Sequence, residues 1–179
     1  MVWNYLIKKD HTMINKFNTI LLFSFYLLFS TNTYAQKLDR AFGDWSVLTS
    51  IVDLKKICYI ASLPVKQEGS VQDNANAYFL ISLFPERSPE VSYSPGFDIK
   101  VDSSIKLDID GLELFLTKIS GQVVWAENSD QDNRVALELK KGIKLKILAP
   151  DNKGSYALDT FSLKGFTASY NHMLTLCKE

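Results

Sequence analysis

The chain has 179 residues, 20 Lys and Arg against 20 Asp and Glu, with 46% hydrophobic and 22% charged residues. A formal charge of zero excludes a strongly basic nucleic-acid binder and an acidic disordered chain. The length suits one domain with at most a small appendage.

These totals sum two unlike segments. Lys8, Lys9 and Lys16, opposed by Asp10, precede the apolar run Ile20-Leu21-Leu22-Phe23-Ser24-Phe25-Tyr26-Leu27-Leu28-Phe29. A run of about ten residues has the length of a secretory-signal core and is too short to cross a bilayer as a helix. Small and polar residues follow, with Thr33 and Ala35 at the small-residue positions of a cleavage site. The cut is therefore expected between Ala35 and Gln36, giving a signal peptide over 1–35 and a single domain over 36–179. The basic region is long, so Met13 is a second candidate start, and an uncleaved anchor is the competing reading of the run. Removing 1–35 takes away three Lys and one Asp and leaves 17 basic against 19 acidic groups, a net charge of −2. No later apolar run approaches the ~18 residues of a membrane helix. The expected location is the periplasm or cell envelope, or outside the cell, with peripheral envelope association compatible.

Both cysteines, Cys58 and Cys177, lie in 36–179. An oxidising compartment and an even count favour one internal disulfide; two free thiols, or a thiol paired with a partner, are the alternatives. An internal bridge would close a loop of over a hundred residues and stabilise by about 4–5 kcal/mol in the chain-entropy account. There is no C-x-x-C, hence no redox motif or zinc ribbon.

In chain order, 42–48 alternates in a strand-like way around Trp45, and 57–61 is a short β-prone run. The stretch 77–84 is the most apolar and reads as a central strand buried on both faces, closed by Pro85 and Pro89. A short strand at 91–93 and a Pro95-Gly96 turn follow. Residues 105–109 and 112–116 flank Asp110-Gly111, a dipeptide that supplies the positive φ of a tight hairpin. Ser120-Gly121 is a second such turn before 122–126. Asp130-Gln131-Asp132-Asn133 leads into 134–142, acidic at its start, basic at its end and closed by Gly142, which fits a short capped helix. Strands at 143–148 and 156–161 come next. Ser162 then caps a last helix with Leu163, Phe166, Tyr170, Met173 and Cys177 along one face, although Gly165 disfavours an early start. The fold expected is all-β, mainly an antiparallel sandwich, with a short internal helix and a C-terminal helix.

Motifs for catalysis and ligand binding are nearly absent. His172, the one histidine beyond the signal, reads as a partly exposed surface residue. There is no G-x-S-x-G elbow, Walker loop, H-E-x-x-H or G-x-G-x-x-G. Asp108-Ile109-Asp110-Gly111 fails as a calcium loop because Lys106 and Thr117 occupy ligand positions, so it reads as a hairpin turn. The oxygen-rich run 127–132 reads as a loop with a helix cap, with a metal site as the alternative. Lys140, Lys141, Lys144 and Lys146 form a basic cluster, read as a solvated face or an edge-strand guard. Trp45 and Trp125 read as core aromatics, with ligand binding as the alternative. No cofactor, metal or catalytic residue is expected.

The chain resembles the invasion-associated locus B family of exported α-proteobacterial proteins. Phe42-Gly43-Asp44-Trp45-Ser46-Val47, Ile57-Cys58-Tyr59-Ile60-Ala61-Ser62, Tyr78-Phe79-Leu80-Ile81-Ser82, Val91-Ser92, Trp125-Ala126 and Leu139-Lys140-Lys141-Gly142 carry the likeness. The most specific part is Asp159-Thr160-Phe161-Ser162-Leu163-Lys164-Gly165-Phe166-Thr167-Ala168-Ser169-Tyr170, with Cys177 behind it. The motif core is thus Phe42, Gly43, Asp44, Trp45, Ser162, Leu163, Gly165 and Phe166. Some members carry a further Cys where Thr49 and Ser50 stand, and many a second Cys pair, so the chain resembles a shorter, one-bridge branch. The resemblance implies an exported, mostly β domain, and in a pathogenic source a contribution to host-cell association or invasion. It implies no reaction and no catalytic residue. The expected function is a non-enzymatic binding or accessory role toward an envelope or host-cell protein. A carboxylate-dependent envelope hydrolase and a small-ligand or lipid carrier are the alternatives.

Overall fold

The fold is that of a computed structural model, which describes residues 36–71 and 76–178. The expected signal peptide, with both candidate starts and Ala35, lies outside the described residues; Gln36 is the first described.

Two antiparallel sheets face each other. In chain order the strands are β1 (Lys37–Phe42), β2 (Trp45–Val52), β3 (Lys55–Ser62), β4 (Lys66–Gly69), β5 (Tyr78–Leu83) and β6 (Glu90–Ser94). They continue as β7 (Ile105–Ile109), β8 (Leu112–Leu116), β9 (Lys118–Ser120), β10 (Val123–Trp125), β11 (Lys144–Pro150) and β12 (Tyr156–Ser162). Helix α1 (Ser129–Lys141) precedes β11, and α2 (Phe166–Leu176) follows β12. The first sheet has seven strands in the order β1-β2-β3-β5-β6-β10-β9; the second has five, β4-β12-β11-β7-β8.

The period-2 pattern sends one side of β2, β3, β5, β7, β11 and β12 inward. Trp45, Val47, Ile60, Phe79, Ile81, Val91 and Tyr93 from the first sheet meet Ile105, Leu107, Leu145, Ile147 and Phe161 from the second. Phe161 packs against Phe79 and edge-on against Tyr93, with ring centroids 6.0 and 6.2 Å apart. Each such side chain stabilises by about 1.5–3 kcal/mol on burial, so this shared layer holds the sheets together. Helix α2 covers the same face over β1–β3, burying Phe166, Tyr170 and Met173. Its end is fastened by the Cys58–Cys177 disulfide, whose Cα atoms are 5.9 Å apart.

Several expected elements form as read. Asp110 and Gly111 turn β7 into β8 with φ of 51° and 97°. Helix α1 is capped by Asn128, whose side-chain oxygen accepts the Gln131 N–H at 3.0 Å, with Asp130 and Asp132 in its first turn and Lys140 and Lys141 in its last.

Others differ. The stretch 42–48 is not one strand: the chain reverses at Gly43-Asp44, with Gly43 at φ 58°. The strand before the turn, β1, is an exposed sheet edge with no apolar alternation, so periodicity carries no sign of it. Strand β4 is fully exposed and was missed for the same reason. Strand β5 is central, but only Phe79 and Ile81 on its inner face are buried, because sheet and helices cover one side alone. Ser162 ends β12 and its hydroxyl accepts the Lys164 N–H at 3.2 Å, so it makes a local turn and does not cap the helix. Helix α2 starts at Phe166, after Gly165 at φ 91°. Strand β11 is interior to its sheet, so Lys144 and Lys146 guard no edge.

Candidate functional site

The two parts of the motif core, more than a hundred residues apart, meet in one structural joint. The Asp44 N–H donates to the Lys164 carbonyl at 3.0 Å, and the Trp45 indole N–H donates to the Ser162 carbonyl at 3.0 Å. The Phe166 ring stands edge-on to Trp45 at 4.9 Å. A Cβ on Gly43 would lie 2.5 Å from the Lys164 oxygen, and one on Gly165 would lie 1.9 Å from the Phe42 oxygen. Both glycines also hold positive φ, so the joint between the β1–β2 turn and the β12–α2 connection requires them twice over. Leu163 is buried beside it. These residues close the fold at this joint.

His172 lies near this joint. Its Nε2 is 2.6 Å from Asp39 Oδ2, and its ring is tilted against Phe42 at 5.4 Å. That contact ties the edge strand β1 to α2, and hydrogen bonding to His172 lowers the Asp39 pKa. The pairing joins residues 133 positions apart, beyond any local signal in the sequence.

Two carboxylates are buried. Asp159 projects between the sheets, where its Oδ2 accepts the Tyr93 hydroxyl at 2.6 Å and its Oδ1 accepts the Gln67 amide at 3.2 Å. Desolvation raises its pKa, against the lowering effect of both hydrogen bonds. Tyr93 is driven upward by burial first and by the Asp159 charge second. Asp132, in the first turn of α1, accepts the Val91 N–H at 2.7 Å, completing β6 where β10 has ended. Burial raises its pKa as well. Asp159 lies in the core and Asp132 at the start of α1, so they do not form an acid–base pair in one cleft. Among the described residues no group of three or more His, Cys, Asp or Glu is placed to hold a metal.

A cleft of about 730 Å³ opens to solvent between β9, β10 and the start of α1. Trp125, half-buried, lines it with Arg87, Lys118, Glu127 and Asp132, so Trp125 is a wall residue and not the core aromatic expected. Two of its charged groups have partners: Arg87 pairs with Glu90 at 3.3 Å, and Glu127 accepts the Thr117 hydroxyl at 2.7 Å. The run 127–132 thus serves as wall and helix cap.

The outward face of the five-stranded sheet is a second exposed feature. Strand register places Phe115, Lys106, Leu148, Leu158 and Glu68 in one row across it, with Pro150 and Tyr156 paired in the next. Phe115, Leu148 and Tyr156 are 43%, 37% and 47% exposed. A shallow, mainly apolar depression of about 360 Å³ lies between Ser104, Lys106, Leu148, Pro150 and Tyr156. A solvated sheet face ordinarily alternates to polar residues. Here the outward positions of β11 begin as Lys144 and Lys146 and turn to Leu148 and Pro150. That change of character within one strand is the sequence signal that would have found the surface.

No protein-family profile and no curated protein matches the chain. A solved structure, invasion associated protein b from Bartonella henselae, shares the fold: its TM-score is 0.55 at 19% identity, over 80% of this chain and 100% of that one. Its name is that of the family the motifs resemble, and at this identity the likeness is one of fold.

Proposed function

We propose that the chain is an exported, non-catalytic accessory module that docks a partner protein through the outward face of its five-stranded sheet. The observation that carries this reading is the outward face itself, where Phe115, Leu148 and Tyr156 are exposed, with half-buried Leu158 and Lys106 among them, over a closed core. Exposed apolar surface on a well-packed domain marks an interaction site more often than a packing fault. Two features weigh against the alternatives. A hydrolase working by carboxylates calls for two of them on one cleft, whereas Asp132 and Asp159 are separately engaged in structural hydrogen bonds. A lipid carrier calls for an enclosed apolar cavity, whereas the cleft at Trp125, the one at Ile99 and the depression at Leu148 are each open to solvent. The resemblance to invasion-associated locus B proteins supports an envelope or host-cell protein as the partner. Half-buried Trp125 in the 730 Å³ cleft supports one further reading, a small-ligand site on the same module.

The test is a photoreactive amino acid at Phe115, with Thr167 on α2 as the control position, activated in the native envelope. A discrete adduct from position 115 and none from 167 is expected. Equal labelling from both positions, or none from 115, sinks the docking assignment.

A further inference from the structure

The tip of the β2–β3 hairpin, from Val52 to Lys55, is not accounted for by the fold or by the proposed docking face. Strand β1 accompanies β2 only to Thr49, and β5 accompanies β3 only to Cys58. The ladder continues for three more pairs, Ser50–Ile57, Ile51–Lys56 and Val52–Lys55, as a ribbon with no flanking strand among the described residues. At ~3.3 Å per residue it projects roughly 10 Å beyond its neighbours.

The ribbon turns on Asp53 and Leu54, at φ 50° and 62°. This is the left-handed region, where Gly or Asn is the ordinary occupant and a bulky side chain is disfavoured. Leu54 is 97% exposed and Ile51 55%. Nothing in core packing explains an aliphatic side chain at such a position, since the turn itself would be better served by Asn. Lys55 and Lys56 follow at once. The Cys58–Cys177 disulfide and a 2.6 Å hydrogen bond from Lys56 Nζ to the Leu176 carbonyl bring exposed Lys178 to the ribbon's base. Asp53 is the ribbon's one acidic side chain.

We propose that this ribbon is a membrane-contact finger. Leu54 and Ile51 enter the interfacial layer of an anionic lipid surface, while the exposed Lys55 and Lys178 lie among its phosphates. Size and charge together select lipid over a protein pocket. Two aliphatic side chains are far below the ~1,200 Å² of a stable protein interface. They match a shallow insertion of ~5–10 Å with basic side chains held at headgroup level. The assignment does not depend on the docking face, so either can fail alone.

The test is amide hydrogen exchange on the full chain, reading peptides that cover residues 50–57. It is run without vesicles, with phosphatidylcholine vesicles, and with vesicles of mixed phosphatidylglycerol and phosphatidylcholine. The readout is local, so any membrane affinity of the apolar run at 20–29 does not mimic it. Exchange in the ribbon is expected to slow by about fivefold or more on the anionic vesicles alone. Leu54→Asn should abolish the protection and leave exchange elsewhere in the domain unchanged, because Asn accepts positive φ. Unchanged ribbon exchange on every vesicle, the result also expected of a ribbon that docks on protein, overturns the proposal. Protection that is equal on neutral vesicles, or that survives Leu54→Asn, overturns it too.

Discussion

Asp159 is a carboxylate in the apolar layer between two sheets, held by the Tyr93 hydroxyl and the Gln67 amide. Because burial raises its folded pKa above the ordinary 3.8, its ionised form opposes folding at neutral pH. As pH falls through the raised value, the folded state takes up a proton before the unfolded state does, and stability rises. The gain is complete once pH is below the ordinary value. Asp132 acts with the same sign. Asp39, lowered by His172, acts with the opposite sign, and its contribution is lost only as pH falls below 3.8. Urea unfolding should therefore give a higher midpoint at mildly acidic than at neutral pH. Asp159→Asn keeps an oxygen for the Tyr93 hydroxyl, its new amide N–H can donate to Gln67 once that side-chain amide turns over, and it has no proton to gain. It should be at least as stable as the parent at pH 7 and show a shallower pH slope. An Asn variant with the parent's slope, or destabilised by more than about 2 kcal/mol, would remove Asp159 as the source. The sequence marks Asp159 only as part of a motif. Its acceptor role depends on Tyr93, 66 positions away on the other sheet, and no local pattern encodes that.

Helix α2 is held at both ends by contacts distant in sequence. At its start, Gly165 nests against the Phe42 carbonyl; at its end, Cys177 is bonded to Cys58, closing a separation of 119 residues. A loop of that length makes the unfolded chain more ordered, and the chain-entropy account assigns the bridge about 4–5 kcal/mol. The double variant Cys58→Ala/Cys177→Ala should lose most of that in equilibrium unfolding and expose the amides of α2 and β3 to exchange first. A loss below about 1 kcal/mol would mean that the Trp45–Phe166 contact and the buried face of α2 fasten the helix unaided. The elements themselves were legible where the local signal was strong. The Asp110-Gly111 hairpin, the acidic-to-basic polarity of α1 and the alternation in β11 and β12 each rest on a few adjacent residues. Strands β1 and β4 were not legible, because exposed edge strands such as Lys37–Phe42 and Lys66–Gly69 need no apolar period. The start of α2 was misplaced because Ser162 reads equally as a cap and as a strand end. Backbone contact with Phe42 decides between them.

At the scale of the whole molecule, the two sheets are unequal in how they meet solvent. The interior is closed by the layer from Trp45 to Phe161, and neither Phe115 nor Leu148 belongs to it. Composition could not reveal this, since a total of 46% hydrophobic residues is the same whether an aliphatic side chain points in or out. Parity along each strand decides it, and parity has a meaning only once register is known: Phe115 beside Lys106, Lys106 beside Leu148, Leu148 beside Leu158. The residues in that row are dispensable to folding if the face exists for a partner. Thr suits a pleated, solvated strand as well as Leu or Phe does. The double variant Phe115→Thr/Leu148→Thr should therefore keep its unfolding free energy within about 1 kcal/mol of the parent. In the same samples, binding of an apolar-surface dye to the native protein should fall, as should any concentration-dependent self-association. A loss of 3 kcal/mol or more would place these side chains in the cohesion of the sheet instead. Preserved stability with unchanged dye binding would locate the exposed apolar surface elsewhere, among side chains such as Leu54, Ile143 and Leu63.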